Sequence, residues 1–142
     1  MDRFAYRPLC LAALLAAFAA PACAADLTVT LHDVRVRTGT IKLVLVDSQA
    51  GWDGQAPPVA ADGAPPGGDT ATFVFKGLEP GTYAVSAMHD ENGNGKLDTN
   101  LVGLPTERYG FSNDARGKLG APDFEAAAIG VDADLQSAIH LR

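Results

Sequence analysis

Leu78-Glu79-Pro80-Gly81-Thr82-Tyr83-Ala84-Val85 is the stretch on which the fold turns. Pro80 and Gly81 make a tight turn, because proline arrives with its φ already set and glycine accepts conformations that other residues avoid. Leu78, just before the turn, reads as a plug for the core. After it, Tyr83, Val85 and Ala87 alternate inward along a strand. Upstream, over Asp69 to Phe75, Ala71, Phe73 and Phe75 alternate with Thr70, Thr72 and Val74, so a strand lies on each side of the turn.

The same period of two continues outward. Leu27, Val29 and Leu31 point one way and Thr28, Thr30 and His32 the other. From Thr40 to Val46, Ile41, Leu43 and Leu45 share a face, with Lys42, Val44 and Val46 opposite; joined by a turn around Thr38-Gly39, the two segments read as a β-hairpin. Residues 47 to 69 hold Gly51, Gly54, Pro57, Pro58, Gly63, Pro65, Pro66, Gly67 and Gly68, which predicts a long surface loop. Trp52 is its one large apolar residue, and either covers an end of the core or meets a ligand. Phe124 to Val131 and Leu135 to Leu141 are the last strands, parted by Asp132-Ala133-Asp134, although Glu125 to Ala128 has the propensity for a helical turn. With no helical periodicity and no internal repeat, the expectation is all-β, a single sandwich of about seven strands.

The N-terminus has a different character. Arg3 and Arg7 precede an apolar run from Leu9 to Ala20, and small residues follow through Ala25, which is the pattern of a signal peptide over residues 1–24 ahead of a β-domain over 25–142. The run is too short for the roughly 20 residues of a transmembrane helix. Cys23 is also a conceivable lipid-attachment site, but Ala20-Pro21-Ala22 lacks the usual aliphatic residue. Both cysteines, Cys10 and Cys23, fall in this segment, so the mature chain has to fold without disulfides in a periplasmic or secreted, oxidising setting. Removing Asp2, Arg3 and Arg7 moves the net charge from −6 to −7, a balance that repels nucleic acid and favours cations.

Chemistry concentrates in His89-Asp90-Glu91-Asn92-Gly93-Asn94-Gly95-Lys96-Leu97-Asp98. Asp90, Asn92, Asn94, Gly95 and Asp98 stand at positions one, three, five, six and nine of a calcium loop, and Lys96 offers its backbone carbonyl at position seven. Alternate residues of a tight loop turn their oxygens to one centre, which suits a hard cation. The twelfth position, a bidentate Glu in an EF-hand, is Leu101, and no helices flank the loop. With Asp90 and Asp98 as its carboxylates, and Glu91 or a distant Glu107 in reserve, the site predicts weak affinity, about 0.1 to 1 mM. Asn92-Gly93 and Asn94-Gly95 are equally favoured as plain turns that need no metal.

Templates for catalysis fail on inventory. The mature chain has no cysteine nucleophile, and His32, His89 and His140 lack metal-ligand spacing. His89 and Asp90 with Ser112 would make a hydrolase only if the fold brought them together. A phosphate-cradling or dinucleotide loop is absent, since Gly93-x-Gly95 opens no helix. The expectation is a protein that is not an enzyme.

From Leu78 to Val85, through the His89–Asp98 block, Gly103-Leu104-Pro105-Thr106-Glu107, Tyr109-Gly110-Phe111-Ser112-Asn113 and Pro122-x-Phe124-Glu125-x-Ala127, the chain resembles the secreted bacterial family called domain of unknown function 2141. The resemblance implies an exported small β-sandwich and no defined activity. The Leu-x-Pro-Gly-x-Tyr turn is similar to that of transthyretin-like and collagen-adhesin repeat domains, which implies an immunoglobulin-like or prealbumin-like sandwich. Two functions follow as expectations: a calcium-binding loop at 90–98, or a metal-free module in which Trp52, Tyr109 and Phe111 bind a sugar, a peptide or another envelope or extracellular partner.

Overall fold

The computed structural model describes residues 23–142. The signal-peptide reading of residues 1–24 therefore lies outside the described residues, save for Cys23, which is exposed, and Ala24.

Strand β1 (Ala25–His32) is central in a three-stranded sheet, antiparallel to β4 (Ala71–Leu78) on one side and parallel to β8 (Leu135–His140) on the other. In the second sheet β2 (Thr40–Val46) pairs antiparallel with β5 (Gly81–Asp90), and β3 (Ala60–Ala64) is added outside β2. The far edge of β5 is shared: β7 (Ile129–Val131) takes its start and β6 (Tyr109–Phe111) its end. Among the described residues the chain is all-β, with eight strands in two sheets, one more strand than the alternation predicted.

The apolar faces meet between the sheets. Leu27, Val29 and Leu31 from β1, Ile41, Leu43 and Leu45 from β2, and Val85 from β5 have no solvent exposure and share one cluster with Phe73, Phe75 and Ile139. Each such side chain contributes about 1.5–3 kcal/mol through burial, and with no disulfide among the described residues this cluster is the main source of stability. Leu78 plugs the core as expected. The Glu79-Pro80 turn, however, closes no hairpin, because β4 and β5 belong to different sheets, and it carries the chain from one layer to the other. The Tyr83 hydroxyl donates to the Glu79 carbonyl at 2.7 Å and holds that crossing in the manner of a tyrosine corner. Burial, reinforced by Asp47 and Glu79, pushes the Tyr83 phenol above its ordinary pKa and keeps it a neutral donor.

Three expectations are corrected. The segments 27–32 and 40–46 are not a hairpin: their apolar faces look at each other across the core, and β1 finds its ladder partners in β4 and β8. The 47–69 stretch is not all loop, since it contains a one-turn helix α1 (Gln49–Trp52) capped by the Ser48 hydroxyl, and β3. Phe124 to Val131 is not one strand; Phe124–Ala127 forms the helical turn α2 and only Ile129–Val131 is extended.

Candidate functional site

In an antiparallel ladder, facing residues lie on the same side of the sheet. The register therefore aligns Lys42 with Met88 and Tyr109, and Val44 with Ser86 and Phe111, on the outer face of the second sheet. With Leu97 they line a largely apolar pocket of about 260 Å³. A second pocket, of about 430 Å³, shares Leu97, Tyr109 and Phe111 and lies between segments 102–105 and 117–121. Together they form one groove, and no Asp or Glu lines either part.

The 90–98 loop borders this groove. Asp90 is buried at the end of β5, and its carboxylate accepts the Asn94 amide at 3.0 Å, the Gly95 amide at 2.8 Å and the Lys42 ammonium at 2.8 Å. The Lys42 hydrogen bond, followed by those from Gly95 and Gly93, outweighs burial and holds the Asp90 carboxyl below the usual carboxylate range. Gly95 has φ +87°, which a side chain would strain, so the glycine is needed for the bend that delivers its amide to Asp90. Asn92 and Asn94 bend the loop further by accepting the Asn94 and Lys96 amides, each at 3.0 Å, while their side-chain NH₂ groups both donate to Asp98. Glu107, nearly buried, accepts the Glu91 amide at 2.8 Å with one oxygen and the Asp98 amide at 3.0 Å with the other. It clasps both ends of the loop, a role different from the extra ligand the sequence suggested.

Asp90, Asn92, Asn94 and Asp98 are thus brought together in one turn, but around N–H donors: the asparagine oxygens accept loop amides and their NH₂ groups face Asp98. Lys96 is exposed on the same turn. Lys42 lies on another strand, and only the register shows that it joins them.

Beyond Asp98 the chain forms a small hairpin. Thr106 donates to the Asp98 carbonyl at 2.8 Å, Thr99 bridges Pro105, and Asn100 accepts the Val102 and Leu104 amides at 3.0 Å. That framework holds Leu101 fully exposed, Val102 at 78% and Leu104 at 61%. Leu119, on the opposite segment, is also fully exposed.

Of the aromatic candidates, Tyr109 and Phe111 line the groove and Trp52 does not. Trp52 packs on Phe111 and Phe124, with ring centroids 5.6 and 6.3 Å away, and its indole N–H donates to the Pro122 carbonyl at 2.8 Å. It covers a small second cluster around Val46, Ala84 and Ala127 and buttresses Phe111 from behind. The hydrolase grouping does not form. Ser112 is fully buried, its hydroxyl accepts the Val85 amide and donates to the Ala127 carbonyl, and the His89 ring is bonded to the Thr38 carbonyl at 2.8 Å.

Sequence reasoning missed Val44, Met88, Leu97 and Leu104 as groove residues. A signal was present in β2, where Val44 and Val46 make the outer face apolar as well, so that something had to cover it.

No helix among the described residues is long and apolar enough to cross a membrane. No curated protein and no solved structure matches the chain. A family model does, over residues 29–139, and is described as an uncharacterised protein conserved in bacteria (DUF2141). That span takes in both sheets, the clasped loop and the groove, and the chain belongs to the domain of unknown function 2141 family.

Proposed function

We propose that this chain is an exported, non-enzymatic binding module that takes its ligand in the groove over Tyr109 and Phe111. The observation that carries the reading is the continuity of the two pockets through Leu97, Tyr109 and Phe111, beside the exposed Leu104 and Leu119. Ligand sites are concave, apolar and furnished with few polar groups. The lining favours an apolar ligand over a sugar, which demands more hydrogen-bonding side chains than this groove offers. A neutral fluorescent probe, N-phenyl-1-naphthylamine, is expected to bind saturably to the wild type and not to Ser86→Phe, which fills the inner pocket while circular dichroism checks the fold. No saturable signal in the wild type, or equal binding by the variant, overturns the reading. Export rests on residues 1–24, and a periplasmic or secreted product beginning at Ala25 by mass spectrometry is the expected result.

Calcium in the 90–98 loop is a second reading, supported by the gathering of Asp90, Asn92, Asn94 and Asp98 in one turn. The ion would be held by their side-chain oxygens and the Lys96 carbonyl, and would displace the Lys42 ammonium from Asp90. Calorimetric titration is expected to show a saturable signal that Asp90→Ala with Asp98→Ala removes. A flat wild-type titration to several millimolar eliminates it.

A further inference from the structure

We propose that the groove accepts a single-chain amphiphile with an anionic head, its tail lying over Phe111 and its head at Lys118. This rests on the binding-module reading and specifies the ligand class. The chain carries a net charge of −6, yet the groove's charged lining residues are both cations, Lys42 and Lys118. Lys42 is neutralised by Asp90 at 2.8 Å. Lys118 is exposed, makes no ion pair among the described residues, and has Arg116 two positions away with no acid between Asp114 and Asp123. Asp123 shares the adjoining cavity with Arg116 and Lys118, which leaves the mouth net basic on an acidic protein and complementary to an anion.

Shape supplies the other half. The larger pocket carries Lys118, and the smaller one continues it past Tyr109 and Phe111, where Val44 and Met88 present hydrocarbon. An inner volume of about 260 Å³ holds an alkyl chain or one apolar side chain, not a folded partner. Leu104 and Leu119 stand at the lips, where such a chain would cover part of their exposed surface.

The test is calorimetry on the protein from Ala25 onward, below the concentrations at which the ligands form micelles, with sodium dodecanoate, dodecanol and dodecyltrimethylammonium. Dodecanoate is expected to bind one per chain, and to tighten about fourfold for each added methylene from octanoate upward. It should bind roughly threefold to fivefold better than the cationic amphiphile, an advantage of the size an exposed charge supplies. Arg116→Glu with Lys118→Glu should reverse that preference. Equal affinity for the anionic and cationic amphiphiles overturns the head assignment and leaves the groove standing. Binding of the neutral naphthylamine probe but of no amphiphile overturns the ligand class alone, whereas failure of that probe as well removes the binding module too. Sedimentation with phosphatidylglycerol vesicles without binding of monomeric dodecanoate overturns the proposal in favour of a membrane-surface contact by Leu101 and Leu119.

Discussion

The β5–β6 connection contains two turns of opposite design, back to back. From Asp90 to Asp98 the side chains are spent on the loop itself: carboxylates and amides bind the backbone that carries them, and Glu107 closes the ends. From Asp98 to Thr106 a single side chain, Asn100, supports the turn, and the apolar residues point to solvent. Both halves are hydrogen-bonded, so order does not distinguish them. The difference is the direction of the side chains. A loop whose polar groups are mutually satisfied builds a rigid base, and a hairpin that leaves leucines in water is positioned to meet something else.

The largest test of this contrast is Glu107→Ala. It strands the Glu91 and Asp98 amides, and the loss of two charge-assisted bonds is expected to cost about 3 kcal/mol in urea unfolding. A cost below about 1 kcal/mol would mean that the loop is not clasped.

Acid should act next, through Asp90. Its carboxyl is more acidic folded than unfolded, chiefly because of Lys42, so its contribution is complete above the unfolded pKa of about 3.9 and is lost as pH falls through the lower folded value. Asp114 follows the same sign, since the backbone N–H and ring of His140, with the charges of His140 and Arg142, outweigh the burial that opposes its ionisation. Asp90→Asn is expected to be less stable than wild type near neutrality and to show a flatter decline below about pH 4, read from urea midpoints against pH. Identical slopes would remove Asp90 from the account.

Hydrogen exchange sharpens the comparison amide by amide. Gly95 and Asp98, bonded to buried or nearly buried carboxylates, should exchange more slowly than Val102 and Gly103, bonded only within the exposed tip. The smallest effect is expected of Leu104→Ser with Leu119→Ser: stability within about 0.5 kcal/mol of wild type, since both side chains are exposed, together with weakened binding of the naphthylamine probe. A large loss of stability there would make those leucines part of the fold rather than of the site.

Much of this was legible in the residue order. The faces of β1, β2, β4 and β5 follow from simple alternation, and the spacing of Asp90, Asn92, Asn94 and Asp98 announced a polar turn that brings these four side chains together. The pairing of β1 was not legible. Two strands with one apolar face each satisfy the same pattern whether they lie side by side or face to face, and only the competition from β4 and β8 settles it. β3 was hidden for another reason: Ala60-Ala61-Asp62-Gly63-Ala64 has little strand propensity and borrows its extended form from the free edge of β2.

The amino-acid sequence by itself determined an all-β chain whose alternating strands must enclose one core, and a polar loop at 90–98, because the period of two and the turn chemistry of Asn, Asp and Gly act locally. Tertiary structure alone decided that Lys42 meets Asp90, that Glu107 reaches back to the Glu91 amide sixteen residues earlier to clasp the loop, and that Val44, Met88 and Phe111 share a face with Leu97. Those contacts join residues from different strands and loops. Register and sheet order create them, and neither is written in any one segment.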